Sequence, residues 1–162
     1  MEIVHARAED LPEIFKIYEY ARKFMRASGN PTQWGNTRPL PETVIKDIEK
    51  RQSYLVKENG RICGVFAFII GNDPTYDIIE DGEWLNSNEY GVIHRLAGNG
   101  TCKGVFEAAL AYCRSRIADI KVDTHKDNLV MQHLFETHDF VYCGIIYTDD
   151  GTARRAYQLL RK

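Results

Sequence analysis

Residues 97–106 read AGNGTCKGVF, which joins the end of an apolar strand to the start of an apolar helix through a glycine-rich turn. Glycine lets a backbone approach a ligand closely and adopt positive φ, and the first turn of a helix presents unpaired N–H groups that suit a phosphate. Lys103 adds a positive charge. The turn lacks the Gly-Lys-Ser/Thr ending of a Walker A loop, and it does not lie in the early β-α-β unit of a Rossmann site. The pattern favours a phosphate-binding turn of another type, with a ligand-free tight connection as the alternative.

The segments on both sides of this turn predict one α/β domain that spans residues 1–162. Alternating or continuous apolar runs predict strands, and apolar residues at helical spacing predict helices. Strands are expected at 3–7, 53–57, 62–70, 90–97, 119–123, 140–147 and 153–160, and helices at 9–28, 41–50, 105–116 and 128–138. An antiparallel start followed by β-α-β units gives the fold class α/β (α+β) with a mixed sheet. Residues 30–39 and 71–88 have no clear period and are expected to be loops.

Composition and charge exclude several classes of protein. A formal net charge of −2 with 44% hydrophobic residues indicates a globular chain without a nucleic-acid-binding surface. No segment approaches the roughly 20 apolar residues that span a bilayer, and the start of the chain lacks an apolar signal core. We therefore expect a cytoplasmic protein with neither nucleic acid nor a membrane as a partner. The spacing of Cys63, Cys102, Cys113 and Cys143 fits no zinc site, so reduced thiols and no metal are expected.

Four segments carry a resemblance to a known family. Residues 4–12 resemble its first strand and helix start, and residues 93–110 resemble its strand, glycine turn and helix. Residues 128–136, NLVMQHLFE, resemble its Asn-x-x-Ala-x-x-Leu-Tyr-Glu helix, Phe140 resembles the Phe that follows, and residues 142–147 resemble its next strand. Together these segments resemble the GNAT superfamily of acyl-CoA-dependent N-acyltransferases over nearly the whole chain.

The resemblance implies a mostly antiparallel GNAT-type sheet with a splayed pair of central strands and about four flanking helices. It implies that backbone amides of the turn bind the pyrophosphate of CoA, and that the preceding strand edge binds the pantetheine arm. The residues that it places at acetyl-CoA are Ile93, Arg95, Leu96, Ala97, Asn99, Gly100, Thr101, Cys102, Lys103, Gly104, Asn128 and Phe135. The implied reaction transfers acetyl from acetyl-CoA directly to a primary amine of a small molecule, an amino acid or a peptide, without a metal. A homodimer is left open.

The sequence departs from the family pattern at several positions. Asn99 replaces the initial Arg/Gln of the turn and Cys102 its middle glycine, where a Cβ would crowd the loop if positive φ were needed. Phe135 replaces the helix tyrosine that often protonates the departing CoA thiolate, and Asp139 replaces a glycine. Asn99, Cys102 and Phe135 support one alternative, a non-catalytic acyl-CoA-binding module. An interaction domain without a CoA site is a further alternative.

Acetylation of an amine requires a group that removes the proton of the amine and donors for the developing oxyanion. His94, Glu89 and His125 are the candidate bases, and Tyr142 or Tyr147 is the candidate acid. The alternatives are a histidine hydrogen-bonded within the sheet, a solvated glutamate, a helix-cap cluster around His125 and ordinary strand tyrosines. Regular alternation would place His94 and Arg95 on opposite faces of the sheet unless a bulge intervenes.

The two long loops supply the candidate acceptor site. Its predicted residues are Trp34, Tyr76, Trp84, Tyr90 and Asp123. Acidic residues between Asp73 and Glu83 suggest an acidic wall that favours a cationic amine, and a solvated acidic loop explains the same charges. Asp127 or Asn128 is also suited to cap the helix that follows.

Overall fold

The computed structural model describes residues 1–160, so residues 161–162 of the predicted domain lie outside the described part of the chain. The predicted order of strands and helices is confirmed. The strands are β1 (Glu2–His5), β2 (Ser53–Glu58), β3 (Arg61–Ile70), β4 (Tyr90–Gly98), β5 (Asp119–Thr124), β6 (Val141–Tyr147) and β7 (Ala153–Leu159). The helices are α1 (Leu11–Ala27), α2 (Pro41–Glu49), α3 (Val105–Arg114) and α4 (Leu129–Thr137). The first helix begins two residues later than predicted, because Ala8–Asp10 form a separate 3-10 turn.

The seven strands form one mixed sheet in the order β1-β2-β3-β4-β5-β7-β6. Only β4 and β5 pair in parallel, and every other neighbouring pair is antiparallel. The expected mixed, mostly antiparallel sheet with four helices is therefore confirmed. The final strand, β7, inserts between β5 and β6, so β6 becomes an edge strand.

The central strands β4 and β5 separate partway along their length. They pair at Tyr90 with Asp119, Gly91 with Ile120 and Val92 with Lys121, and the pairing ends there. On its other side, β4 stays paired with β3 as far as Gly98. The second half of β4 therefore presents an unpaired edge to a gap, which is the splay that the resemblance implies.

A β-bulge in β4 lies beside this gap. Ala67 of β3 pairs with His94 and Val65 pairs with Ala97, so two residues of β4, Arg95 and Leu96, face the single residue Phe66. Arg95 has φ +52, an unusual conformation for a residue with a Cβ. Because β3 alternates regularly through the bulge, its partners His94 and Ala97 share one face of the sheet.

Helices cover both faces of the sheet with apolar side chains. On one face, α3 and α4 pack on a core that includes Phe66, Phe106, Phe135 and Tyr157. On the other face, α1 and α2 pack on Leu55 and Val65, and the loop between β3 and β4 covers Tyr90 and Val92. Within residues 1–160, no helix has the length and apolar character needed to cross a membrane.

Candidate active site

The gap between β4 and β5 opens into a cleft of about 620 Å³. Residues 93–96 of β4 and 122–124 of β5 form its two sides, and Phe106, Met131 and Phe135 close its apolar end. The loop between α1 and α2 and the loop after β3 line the opposite end. The cleft therefore joins the α3–α4 side of the sheet to the α1–α2 side.

The glycine-rich turn lies at the end of β4, beyond the lining of the cleft. Asn99 fastens it, because its Nδ2 donates to the Ile62 carbonyl at 3.1 Å and its Oδ1 accepts from the Thr101 hydroxyl at 2.6 Å. Gly100 has φ +79 and lies under Tyr20, whose Oη would be 2.3 Å from an added Cβ. Neither Asn99 nor Cys102 has positive φ, so the crowding considered for Cys102 does not arise.

The start of α3 is free of a side-chain cap. Its N-cap residue is Gly104, with φ +85, and no side chain of the cap accepts from the first turn. The first N–H groups of a helix have no intrahelical acceptor, so these amides remain available to an anion. The turn thus has the properties of a diphosphate site: positive φ at two glycines, close backbone approach and a helix N-terminus.

The bulge is held in place by two contacts from the α1–α2 side. The Nε and Nη2 atoms of Arg95 each donate to the Asp47 carboxylate at 2.8 Å. The Tyr18 hydroxyl donates to the Arg95 carbonyl at 2.8 Å, and burial raises the pKa of Tyr18, which keeps this donor protonated. The side chain of Arg95, expected at acetyl-CoA, therefore anchors α2 at the edge of the cleft.

His94 and Asp73 form a hydrogen-bonded pair in the lining of the cleft. The His94 Nε2 atom lies 2.9 Å from Asp73 Oδ2. Burial opposes ionisation of Asp73, but hydrogen bonds from His94 and Thr75 outweigh it and lower its pKa to about 2. An ionised Asp73 can only accept, so Nε2 of His94 carries the proton of this hydrogen bond, and in the neutral imidazole Nδ1 is the atom with the lone pair. The backbone N–H of Asp73 donates to the Tyr90 hydroxyl at 2.9 Å, which fixes the loop.

Of the predicted acceptor residues, Trp34 and Asp123 line the cleft. Tyr76 is 2% exposed and donates its hydroxyl to Asp123 Oδ2 at 2.6 Å. Trp84 and Tyr90 pack on either side of the Lys121 ammonium group, at 4.1 and 3.8 Å from the ring centroids. Tyr76, Trp84 and Tyr90 therefore support the floor of the cleft from below and do not line it.

The acidic wall expected from residues 73–83 is reduced to a single carboxylate. Asp73 lines the cleft, whereas Asp77, Glu80, Asp81 and Glu83 lie outside its lining. Basic residues line the cleft as well as acidic ones. The basic ones are Arg38, Lys50, Arg95 and Arg154, of which Arg95 is already paired with Asp47, and the acidic ones are Asp73, Asp123, Asp149 and Asp150.

Three predicted catalytic residues lie away from the cleft lining. Glu89 is exposed just before β4. His125 accepts at Nδ1 from the Asp127 N–H at 3.1 Å, and burial lowers its pKa. Tyr142 lies on the edge strand with the Arg155 guanidinium 4.2 Å from its ring centroid. These placements leave His94 as the predicted base that faces the cleft.

Two predicted cofactor residues of α4 have other contacts. Asn128 caps α4, as considered, by accepting from the Met131 N–H at 3.0 Å. Its Nδ2 donates to Gln33 Oε1 at 3.1 Å. Phe135 is 3% exposed and packs against Phe106, so it lines the apolar end of the cleft without a proton to give.

Gln33 is a site residue that sequence reasoning missed. Its Oε1 accepts hydrogen bonds that bind the α1–α2 loop to the start of α4. The donors are Asn30 Nδ2 (2.9 Å), Asn128 Nδ2 (3.1 Å), Thr124 Oγ1 (3.3 Å) and the His125 N–H (3.4 Å). Three of these partners lie more than 90 residues away in sequence, so no local pattern marks Gln33. No group of His, Cys, Asp or Glu suited to hold a metal ion occurs within residues 1–160.

The acetyltransferase (GNAT) family model matches residues 11–140. No protein with curated annotation matches the sequence.

Solved structures share the fold over nearly the entire chain. A GNAT-family acetyltransferase from Streptococcus agalactiae superposes with a TM-score of 0.89 at 28% identity, covering 99% of this chain and 95% of that one. A candidate acetyltransferase from Staphylococcus aureus Mu50 superposes with a TM-score of 0.72 at 26% identity, and the match covers 100% of both chains. The protein yncA of Salmonella typhimurium, solved with its cofactor acetyl-CoA, gives 0.62 at 15% identity, covers 99% of this chain and 94% of that one, and shows the fold alone.

Removing the Tyr18 hydroxyl should loosen the bulge. Tyr18→Phe leaves the Arg95 carbonyl without its donor, so we expect a loss of about 1–3 kcal/mol in unfolding free energy. The backbone amides of residues 93–97 should also exchange their hydrogens faster in this variant. Tyr147→Phe, which removes an exposed hydrogen bond to Glu80, is the matched control and should change stability by less than about 0.5 kcal/mol. Equal stability and exchange in both variants would contradict the role of Tyr18.

The low pKa of Asp73 predicts a pH-dependent contribution to stability. Because the folded value, about 2, is below the ordinary 3.8, the contribution is fully present above pH 4 and is lost as the pH falls toward 2. Urea unfolding from pH 2 to 6 should show that Asp73→Asn is less stable than the wild type at pH 6 and that the difference shrinks toward pH 2. Asp77→Asn, an exposed carboxylate in the same loop, provides the control. A difference independent of pH would refute the assignment.

Proposed function

This chain belongs to the acetyltransferase (GNAT) family, and from that membership we propose that it is an N-acetyltransferase that moves acetyl from acetyl-CoA to a primary amine. The observation that carries the proposal is the position of His94. A histidine whose Nε2 is hydrogen-bonded to Asp73 lines the cleft beside the unpaired edge of β4. A base at this position can deprotonate an amine held against the thioester of a bound coenzyme.

The residues present fit acetyl-CoA. The uncapped start of α3 and the glycines of the turn suit the diphosphate, and the unpaired backbone of β4 after Val92 offers hydrogen bonds to the amides of the pantetheine arm. Phe106, Met131 and Phe135 supply an apolar wall. When bound, acetyl-CoA supplies the thioester carbonyl carbon that the amine attacks.

His94 has two tasks in the proposed reaction. Its Nδ1 accepts the proton of the amine, directly or through a water, as the new C–N bond forms. Asp73 keeps the imidazole oriented through Nε2 and stabilises the positive charge that develops on the ring. The free N–H groups along the edge of β4 are the available donors for the negative charge on the carbonyl oxygen.

The leaving thiolate has no dedicated acid among the cleft residues. Phe135 occupies the position of the family tyrosine, and Tyr142 lies on the edge strand away from the cleft. A free thiol has a pKa of about 8.5, so its thiolate is a good leaving group near neutral pH. The protonated His94 or water can then return the proton, and cleavage of the C–S bond completes the transfer.

The buried Phe135 also favours a second candidate, a non-catalytic acyl-CoA-binding module. Such a module would bind acetyl-CoA with the same turn and release no CoA thiol in the presence of any amine. Measuring thiol release with a broad panel of amines therefore separates the two functions.

Acetyl-CoA should stabilise the protein through the turn. At a concentration of 100 times its dissociation constant, a ligand adds about 2.7 kcal/mol to the free energy of unfolding, which a thermal shift detects.

Gly104→Ala introduces a Cβ at φ +85 and should weaken acetyl-CoA binding at least about 10-fold, because the strained turn loses its shape. Gly29→Ala is the control, since Gly29 has φ +88 with nothing within 4 Å at the end of α1. Equal affinity in the two variants would remove the turn from the binding site.

Replacing His94 should impair chemistry more than binding. His94→Gln is expected to lower kcat by about 10²- to 10⁴-fold while the dissociation constant of acetyl-CoA stays within a few-fold of the wild type. His133→Gln, on the exposed side of α4, is the control. Full activity in His94→Gln would end the assignment of this residue as the base.

A further inference from the structure

Arg154 lies at the floor of the cleft with few partners for its charge. Its side chain is 11% exposed and lines the cleft from β7. Its Nη2 donates to the Gln33 carbonyl at 3.4 Å, Nη1 lies 3.8 Å from Asp123 Oδ1, and the buried Nε has no partner within residues 1–160. Hydrogen bonds from N–H to oxygen are usually 2.7–3.2 Å long, and a guanidinium has five donors.

A buried cation with such long contacts is poorly compensated. Desolvation of a charge is expensive unless hydrogen bonds and an opposite charge replace the lost water. Asp123 offers only part of that compensation, because its Oδ2 already accepts from the Tyr76 hydroxyl at 2.6 Å. The guanidinium therefore has donors left for an anionic group that enters the cleft, and its Nη atoms are the ones available because Nε is enclosed.

The neighbours of Arg154 place it on the acceptor side of the sheet. Its contacts, Gln33 and Asp123, belong to the α1–α2 loop and to the face that carries His94. The glycine-rich turn and α3 pack on the other face. An anion at Arg154 is thus separated from the predicted site of the CoA diphosphate.

One buried tyrosine joins Arg154 to the proposed base. The Tyr76 ring centroid lies 6.2 Å from that of His94, and the Tyr76 hydroxyl binds Asp123, which lies beside Arg154. His94 and Arg154 therefore lie around the same buried tyrosine, and both line the cleft.

The mixed charge of the cleft limits the class of acceptor that it can bind. Apart from Arg95, whose guanidinium is paired with Asp47, three basic and four acidic residues line the cleft, so neither a polyamine nor a polyanion finds complementary charge over its whole length. A zwitterion adds no net charge. Its ammonium group, before deprotonation, is attracted by Asp73 and Asp123, and its carboxylate is attracted by Arg154.

We propose that the acceptor is an amino carboxylate, a primary amine with its own carboxylate, and that Arg154 binds this carboxylate. The inference rests on the proposed acetyltransferase function and adds the chemistry that the acceptor must have. Arginine suits the role because its planar fork can hold both oxygens of a carboxylate at once. Arg154 is a binding residue here and takes no part in proton transfer.

The experiment compares acceptors that differ only in charge. The panel consists of α-amino acids, β-alanine and γ-aminobutyrate, each beside its carboxamide, with release of CoA thiol from acetyl-CoA as the readout. The wild type should acetylate at least one carboxylate form with a kcat/KM about 10-fold or more above that of its amide. Arg154→Gln should reduce kcat/KM for that carboxylate by about 10²-fold. The kcat/KM for the corresponding amide should change by less than about 3-fold.

Two further variants control for loss of folding and for general effects on activity. Within one protein, the ratio of kcat/KM for the carboxylate to kcat/KM for the amide does not depend on the fraction of active enzyme. Arg154→Lys keeps the charge but loses the fork, so its ratio should lie between those of the wild type and Arg154→Gln. Arg155→Gln changes the adjacent arginine, which stacks on Tyr142 on the opposite face, and should leave the ratio unchanged.

Each outcome decides the matter. Two results would overturn the inference and leave Arg154 as a structural partner of Asp123. One is a wild type with equal kcat/KM for carboxylates and amides, and the other is an Arg154→Gln variant in which kcat/KM falls equally for both. A wild type that prefers amides would overturn it as well, while acetyltransferase activity stands. Binding of acetyl-CoA with no acetylation of any amine would instead overturn the proposed function, and this inference with it.

Discussion

The separation of β4 from β5 after Val92 is the constraint on which the rest of the structure depends. A parallel pair that stayed closed would leave no cleft and no free backbone edge. The bulge at Arg95 and Leu96 lies in the same half of β4 and bends it away from its neighbour. Asp47 and Tyr18 hold the bulge from the side of α1 and α2, so these two helices stabilise an otherwise strained strand. The strained backbone is thus placed where a ligand needs it.

The polar groups around the cleft are organised in layers. His94 and Asp73 lie at its surface, whereas Tyr76 lies beneath them and connects to Asp123. Gln33 ties the α1–α2 loop across the cleft to the start of α4 through hydrogen bonds that are individually long but share one acceptor. This network adds to the packing of Trp34 on the core in fixing the wall of the cleft, and its members are satisfied only when the loop is in place.

Departures from the family pattern have different structural consequences. Asn99 uses its side chain to fasten the turn, and the positive φ values fall at Gly100 and Gly104, where no Cβ interferes. Asp139 replaces a glycine after α4 and adopts φ +69, a conformation that aspartate tolerates better than most residues. Phe135 is the departure with a chemical consequence, since an apolar ring replaces a proton donor at the end of the cleft. The departures in the turn therefore leave its backbone unstrained, whereas the departure at Phe135 removes a hydroxyl from the end of the cleft.

The sequence by itself determined the order of the strands and helices, the glycine-rich turn before α3 and a helix cap at either Asp127 or Asn128, of which the structure shows Asn128. Periodicity, glycine conformation and side-chain capping act over a few residues, so they can be read from a single chain. Only the tertiary structure decided that β7 inserts between β5 and β6, that His94 and Arg95 share a face, and that Tyr76, Trp84 and Tyr90 support the cleft from below. Only the tertiary structure also placed Gln33 and Arg154 at the cleft, because their hydrogen-bond partners lie far away in the chain. Such contacts form only after the sheet has closed around the bulge, because neither hydrophobic period nor local propensity carries information about which distant side chains will meet.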